Sequence, residues 1–512
     1  MSKLISADRA AELIRDGATV AATGFGLAGW AEEVGCGLER RFLATGQPRG
    51  ITLVHASPIG NWTRAKGTSR IAKEGLLKRW IGSFLGIAPD LAQLVLDNKV
   101  EAYCLPQGIL SQLYREIAAK RPGVLSKVGM GTYVDPLLDG GKVNAVTREE
   151  ILKRVEFEGE EWLFYKSFPI DVALIRGSVV DENGNLAMDR ESILLEALPL
   201  AQAARNSGGM VIVQAEHLVK SGTLHPKKVR VPGILVDHIV LTTSPENHFQ
   251  TEGLYFNPVF AGDLKVPLDQ LPVPPLDERL IIARRAAKEL SPGSVVNLGV
   301  GIPSVIASVA AEQGLSQQLT LTTEAGSIGG VPANPPNFVH AYNAEATVTQ
   351  DAQFTFYDGG GLDIAFLGLA QTDHAGNVNV SKFNNRITGC GGFINITQNA
   401  KKVVFCGTFT AGGLQVSASG EELQILNEGK NPKFLDQVEH ITFSGDYARQ
   451  TGQSVLFITE RAVFRLEAEG MTLIEIAPGV DLERDVLALM DFAPLISPQL
   501  QTMAGDIFLP AR

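Results

Sequence analysis

The chain has only four cysteines in 512 residues, Cys36, Cys104, Cys390 and Cys406, dispersed and without a CxxC pair. That scarcity argues against a disulfide framework and a thiolate zinc site, and it fits buried free thiols in a reducing compartment. Positive charge is also short, with 45 Lys and Arg against 56 Asp and Glu and a formal net charge of −11. Neither nucleic acid nor an anionic membrane surface is therefore an expected partner. No apolar run approaches the roughly 18 residues of a membrane-spanning helix. The start, Met1-Ser2-Lys3-Leu4-Ile5-Ser6, lacks the apolar stretch of a signal peptide, so a cytoplasmic location is expected. The eight histidines show no HExxH or HxxxH spacing, and no metal site is expected. No serine sits in a GxSxG elbow.

What is present is an ordinary globular composition, 45% hydrophobic and 20% charged, in a chain long enough for two to four units. The clearest break is Val266 to Asp277, where Pro267, Pro272, Pro274 and Pro275 oppose helix and central strand. It reads as a linker over 266–277 between units at 1–265 and 278–512. Each unit opens with a helix. Ser6 or Asp8 caps the first, and the second begins near Asp277 and runs through Glu278-Arg279-Leu280-Ile281-Ile282-Ala283.

The two halves repeat each other in order. Asp16-Gly17-Ala18-Thr19-Val20-Ala21-Ala22 leads into Gly24-Phe25-Gly26, as Pro292-Gly293-Ser294-Val295-Val296-Asn297 leads into Gly299-Val300-Gly301. Asp171 to Ile175 runs to the turn Asp181-Glu182-Asn183-Gly184-Asn185, and Asp363 to Leu367 runs to Asp373-His374-Ala375-Gly376-Asn377. Met210-Val211-Ile212-Val213 is echoed by Lys402-Val403-Val404-Phe405. Short, continuous apolar runs of this kind are strands buried on both faces. The expected fold class is α/β, with two homologous open α/β domains and mostly parallel sheets. The first copy is longer by about eighty residues, roughly 55–150, including an apolar amphipathic segment from Leu76 to Leu96. That extra material is read as shaping either a substrate pocket or an oligomer contact.

Strand ends that feed glycine-rich loops are where open α/β sheets place their chemistry. Thr320-Leu321-Thr322-Thr323 delivers Glu324 into Ala325-Gly326-Ser327-Ile328-Gly329-Gly330. A carboxylate there is either a brace for the turn or a covalent nucleophile beside backbone N–H donors. Gly24-Phe25-Gly26-Leu27-Ala28-Gly29 satisfies GxGxxG after a strand. The ribose-binding acid expected about 20 residues on is missing, and this weakens an NAD-dependent oxidoreductase. Other side chains have two readings each. Asn297 bonds near Glu324 or satisfies its own turn, and Phe25 lines an acyl pocket or is core. Lys401 and Lys402 meet phosphates or solvent, and Cys390 is more simply a small buried residue. His55, ending the strand Ile51–Val54, is the histidine closest to a catalytic position.

Taken together these motifs resemble family I CoA-transferases over nearly the whole chain. Gly24 to Gly29 is similar to that family's first signature, departing at Thr23 and Ala31, and Asn297 to Pro303 is similar to its second-domain glycine loop. Leu105-Pro106-Gln107-Gly108 resembles the PQG motif, and Gly389 to Asn395 the loop facing the thioester. Glu324-Ala325-Gly326 stands where the ketoacid branch has Ser-Glu-Asn-Gly. Thr323 and Ala325 make this chain more similar to the single-chain acetate and propionate enzymes.

The resemblance implies a glutamyl-CoA thioester on Glu324 and CoA exchange between short-chain acids by a ping-pong route. No tightly bound cofactor is implied, since CoA is the substrate and part of the covalent intermediate. It also implies Gln107 at the oxyanion and donors from Asn297, Gly299, Val300, Gly301, Gly391, Gly392 and Phe393. Phe25 and Gly26 are placed at the acyl pocket, and a homo-oligomer, such as a tetramer, is implied. Acyl-CoA and carboxylate acids are the expected partners. The alternatives are an acyl-CoA hydrolase on the same fold, a non-catalytic CoA or sugar-phosphate sensor, and the NAD-dependent oxidoreductase.

Overall fold

The computed structural model describes residues 2–267 and 275–510, so most of the linker expected at 266–277 lies outside the described residues. Two mixed α/β units follow one another along the chain. Seven parallel strands form the core of the first, nine-stranded sheet. Their order is His238–Leu241, Met210–Val219, Val172–Asp181, Thr19–Ala22, Ile51–His55, Leu77–Gly82 and Glu101–Cys104. The second sheet has a five-strand parallel core in the order Ser454–Ile458, Lys402–Cys406, Ile364–Gly368, Val295–Leu298 and Thr320–Thr322. Antiparallel neighbours extend it at both ends. Thr19–Ala22 lies between Val172–Asp181 and Ile51–His55 as Val295–Leu298 lies between Ile364–Gly368 and Thr320–Thr322. The central strands are buried on both faces, Val172–Asp181 almost completely, because helices cover both sides of the sheet.

The repeat extends to single hydrogen bonds. Asp171 Oδ2 accepts from the Thr19 amide at 2.7 Å, and Asp363 Oδ2 accepts from the Val295 amide at 2.9 Å. In the Gly-Asn turns, Asp181 accepts from the amides of Asn183 and Asn185 and from the Asn185 side chain. Asp373 does the same with Ala375 and Asn377. An aspartate that gathers three donors in this way fixes a short turn between strands. Helix starts also follow local chemistry. Ser6, rather than Asp8, caps Ala7–Leu13 by accepting from Arg9 N, and Asp277 caps Glu278–Ala287 by accepting from Arg279 N and Leu280 N.

The segment Leu76–Leu96 is not one amphipathic element. It is the buried strand Leu77–Gly82, a turn, and the helix Pro89–Leu96. Gly82 and Gly86 interrupt the apolar run, and Pro89 sits at the first helical turn, where its missing N–H is harmless. The longer first copy therefore adds two parallel strands and the helix Gln107–Ala118 to the sheet edge.

That helix joins the two halves. The Gly108 amide donates to Asn395 Oδ1 at 3.0 Å, Asn395 Nδ2 donates to Asp358 Oδ1 at 2.9 Å, and Gln112 Nε2 donates to Asp358 Oδ2 at 2.8 Å. Burial pushes the Asp358 carboxyl up to about 6, against the pull of those two amides. Among the described residues, no helix is long and apolar enough to cross a membrane. All four cysteines are free thiols, three of them buried.

Candidate active site

The carboxyl ends of the two parallel sheets enclose a cavity of about 600 Å³. The first sheet contributes Phe25, Pro58, Phe84 and Gln107, each just beyond the end of a different strand. The second contributes Gly299 and Val300, Thr323 and Glu324, and Leu369, again from consecutive strand ends. Loops at that edge converge because parallel strands all finish on the same side of the sheet. The insertion is thus a pocket wall, supplying Phe84, Gly86, Ile87 and Gln107.

Glu324 sits in the tight turn between the strands Thr320–Thr322 and Ser327–Ile328, closed by Thr323 N donating to Ser327 O at 2.9 Å. Gly326 has φ +109° and packs so closely that a Cβ there would lie 2.1 Å from the Val348 carbonyl. The turn needs glycine for both reasons. A Cβ on Gly392 would lie 1.9 Å from Glu324 Oε2, so the carboxylate rests directly against the backbone of the second glycine loop. The Glu324 side chain is half-buried and lines the cavity. Burial pushes its carboxyl from 4.5 up to about 7, opposed by the backbone N–H of Gly392. A carboxylate poised near neutrality and facing a cavity matches what a nucleophile requires.

Gln107 is completely buried and lines the same cavity. Its Nε2 donates to Ser57 Oγ at 3.1 Å, while its Oε1 has no partner and lies on the side of Gly391. The end of the amide beside the glycine loop is therefore an acceptor, the reverse of the orientation an oxyanion donor needs. Several loop amides expected as donors are already engaged. Those of Gly299, Gly391 and Phe393 donate to the carbonyls of Phe366, Ser83 and Cys390. Among the described residues the amides of Val300 and Gly301 donate to no carbonyl. Asn297 lines the cavity, but its Nδ2 donates to the Thr322 carbonyl and the Tyr357 hydroxyl, both at 3.3 Å, and so braces the adjacent strand.

Two expected positions fall outside the wall. Gly26 is not in contact with the cavity, because it packs against the buried Glu252, whose Oε1 would lie 1.7 Å from a Cβ. Gly301 starts the helix Ile302–Glu312 one residue beyond the lining residue Val300. Phe25 does line the cavity, edge-on to Phe338 with ring centroids 5.8 Å apart. The GxGxxG loop, residues 24–29, is buried throughout and offers no open amides to a dinucleotide. His55 is a core histidine. Its Nδ1 pairs with the Ser57 carbonyl at 2.7 Å and its Nε2 accepts from Trp80 at 2.8 Å, and burial lowers its pKa to about 4. Lys401 and Lys402 lie at the start of their strand, away from the cavity, and pair with Asp363 and Glu289. Cys390 lines the cavity with a thiol that burial holds well above its ordinary range, an inert wall rather than a nucleophile.

Sequence reasoning did not find Ser57, Trp62, Phe338 or Gln350. Ser57 follows a strand end, where the same rule that found Glu324 applies. Gln350, at the start of a helix, carries no local signal.

Two α/β units meeting at a cavity that holds one glutamate against a glycine loop define an acyl-group-handling enzyme of the CoA-transferase fold. The sequence pattern of the family described as Coenzyme A transferase matches residues 4–242 and 279–421, and the chain belongs to that family. It is 52% identical to the caffeate CoA-transferase of Acetobacterium woodii, covering 99% of this chain and 98% of that one. It is 42% identical to the acetate CoA-transferase YdiF of Escherichia coli K12, covering 99% and 95%. The crystal structure of the E. coli O157:H7 acyl-CoA transferase YdiF as a thioester complex with CoA superposes with a TM-score of 0.92. That match has 41% identity and covers 100% of this chain and 96% of that one.

Proposed function

We propose that this enzyme transfers CoA from a short-chain acyl-CoA to an acceptor carboxylate by a ping-pong route through Glu324. The observation that carries this reading is the Glu324 carboxylate, raised to about 7, facing the cavity against Gly392. The ionised oxygen attacks the thioester carbonyl, and the C–S bond breaks to give an acyl-glutamyl anhydride and CoA thiolate. The thiolate then attacks the glutamyl carbonyl and releases the first acid, leaving a glutamyl-CoA thioester. An acceptor acid reverses both steps and departs as the new acyl-CoA. Each attack passes through an oxyanion. The Val300 amide is the available donor, contributing about 3–4 kcal/mol when well placed, while Gln107 Nε2 is held by Ser57 and donates only when its amide turns over. The amides of Gly299, Gly391 and Phe393 are engaged by carbonyls and do not donate to the oxyanion.

The acyl group lies between Phe25 and Phe338. None of the described residues lining the cavity is Lys, Arg or His, so a second carboxylate on the acid has no counter-charge there. Monocarboxylates are therefore the substrate class, in keeping with the acetate and caffeate of the relatives' names. The aromatic walls, with Phe25, Phe84, Trp62 and Phe338, favour a second reading in which aryl acids are also accepted. Residues 1–265 and 278–512 are the two homologous units, supported by their matched strand order.

The protein is incubated with acetyl-CoA or propionyl-CoA without acceptor, digested and analysed by mass. A CoA adduct on the peptide holding Glu324 is expected. An adduct elsewhere, or none with any acyl-CoA tried, defeats the mechanism. Release of free thiol in place of transfer to added acid identifies a hydrolase instead.

A further inference from the structure

Four fully buried side chains form a hydrogen-bonded ring across the two halves, behind the cavity wall. Gln107 Nε2 donates to Ser57 Oγ at 3.1 Å, and Ser57 Oγ donates to Gln350 Oε1 at 2.7 Å. Gln350 Nε2 donates to Ser111 Oγ at 2.9 Å, and Ser111 Oγ donates to the Gln107 carbonyl at 3.0 Å. Every member donates once and in the same rotational sense. That sense leaves Gln107 Oε1 unpartnered on the side of Gly391, in the glycine loop that meets Glu324.

We propose that Gln350 is a positioning residue. Through Ser57 it sets which end of the Gln107 amide faces the reacting carbonyl, and the ring reverses when the oxyanion forms. The proposal rests on the glutamyl-thioester reading above. Reversal needs only turns of two amides and two hydroxyls. Gln350 Nε2 then donates to Ser57, Ser57 donates to Gln107 Oε1, Ser111 donates to Gln350 Oε1, and Gln107 Nε2 points at the oxyanion. One bond of the four is lost, that from Ser111 Oγ to the Gln107 carbonyl. This carbonyl lies in the first turn of its helix, where the N–H four residues on is its usual partner. The gained bond is charge-assisted and stronger than the neutral one given up. The ring can reverse because both glutamine amides and both serine hydroxyls carry a donor and an acceptor. An amide at position 350 is therefore required for its two-sidedness as well as for its shape.

Two substitutions at position 350 separate this role from simple bracing. In Gln350→Glu an ionised carboxylate only accepts, so it holds both serine hydroxyls towards itself and leaves Gln107 Nε2 committed to Ser57. In Gln350→Met nothing competes for the Ser57 hydroxyl, which is free to donate to Gln107 Oε1. With both variants shown folded by thermal melting, kcat in Gln350→Glu is expected to fall by about 10²–10³, the usual effect of losing one oxyanion donor. KM for acyl-CoA should change less than about threefold, and adduct formation on Glu324 should slow in parallel. Gln350→Met should be at least about tenfold faster than Gln350→Glu. Equal losses in the two variants, or a Gln350→Glu enzyme with undiminished kcat, overturn the proposal. If Gln350→Glu does not fold, Gln350→Met decides alone, and a kcat loss of about 10² or more refutes reversal. Wild-type protein runs alongside. Absence of its adduct defeats the glutamyl-thioester reading, whereas a normal adduct without the Glu/Met difference defeats only the role of Gln350.

Discussion

Glu324→Gln tests the site through stability and chemistry together. The substitution keeps the side chain's shape and removes its charge and nucleophilicity. The folded protein holds the Glu324 carboxyl at about 7 against an ordinary 4.5. The unfolded chain therefore releases this proton at lower pH than the folded one does. Stability is unaffected by this group below 4.5, declines as pH rises from 4.5 to about 7, and is level above that. One pKa unit corresponds to about 1.4 kcal/mol, which sets an upper bound of about 3 kcal/mol for the whole shift. The side chain's opening to the cavity screens the charge, so a gain of about 1–2 kcal/mol is the expectation for Glu324→Gln at pH 8. Denaturant melts of both proteins at about pH 4.5 and about pH 8 read this directly, with the difference appearing only at the higher pH. The same variant should form no CoA adduct. In the wild type the initial rate of adduct formation should follow the ionised fraction, rising about tenfold from pH 6 to a plateau above pH 8. An adduct on the variant's peptide spanning position 324, a pH-independent wild-type rate, or a variant less stable than wild type at pH 8 would refute the reasoning.

Gly392→Ala would place a Cβ 1.9 Å from Glu324 Oε2 and force the carboxylate away from the loop. Adduct formation should fall by about 10² or more while the melting temperature changes little, and an active Ala enzyme would show that this contact is not needed. His55 has its pKa lowered from 6.5 to about 4, so the unfolded chain takes up its proton first, and stability should drop as pH falls from 6.5 to 4. Melts across that window should show a loss of up to about 3 kcal/mol from this group in the wild type, and a shallower slope in His55→Ala. Asp373→Ala removes a buried carboxylate and leaves the half-buried amides of Ala375 and Asn377 without their acceptor, for a loss of about 1–3 kcal/mol in denaturant titration. A neutral effect would mean that the turn does not depend on its aspartate.

Much of the architecture was legible before any coordinates. Pairing Asp171 with Asp363, and the Asp181 turn with the Asp373 turn, gave the duplicated strand order, and the two turns were readable because local hydrogen bonds close them. Glu324 was equally visible, as a strand-end carboxylate entering a glycine turn. Less legible were contacts between residues far apart in the chain. Gly26 was expected at the acyl pocket and packs on Glu252, Asn297 was open between two readings and braces Thr322, and His55, the histidine nearest a catalytic position, is a core residue held by Trp80. Each depended on a partner that no local pattern names.

The amino-acid order thus carried the α/β class, the repeat and the nucleophile candidate, since periodicity, turn chemistry and strand-end position act over a few residues. Folding in three dimensions settled the cavity and its electrostatics. Glu324 reaches about 7 because the walls around it draw it out of water, against the opposing pull of the Gly392 N–H, 68 positions downstream. Gln107 turns its Nε2 to Ser57, which in turn donates to Gln350 from the opposite half. Burial and amide orientation are properties of what surrounds a residue, and those surroundings exist only once the two sheets have met.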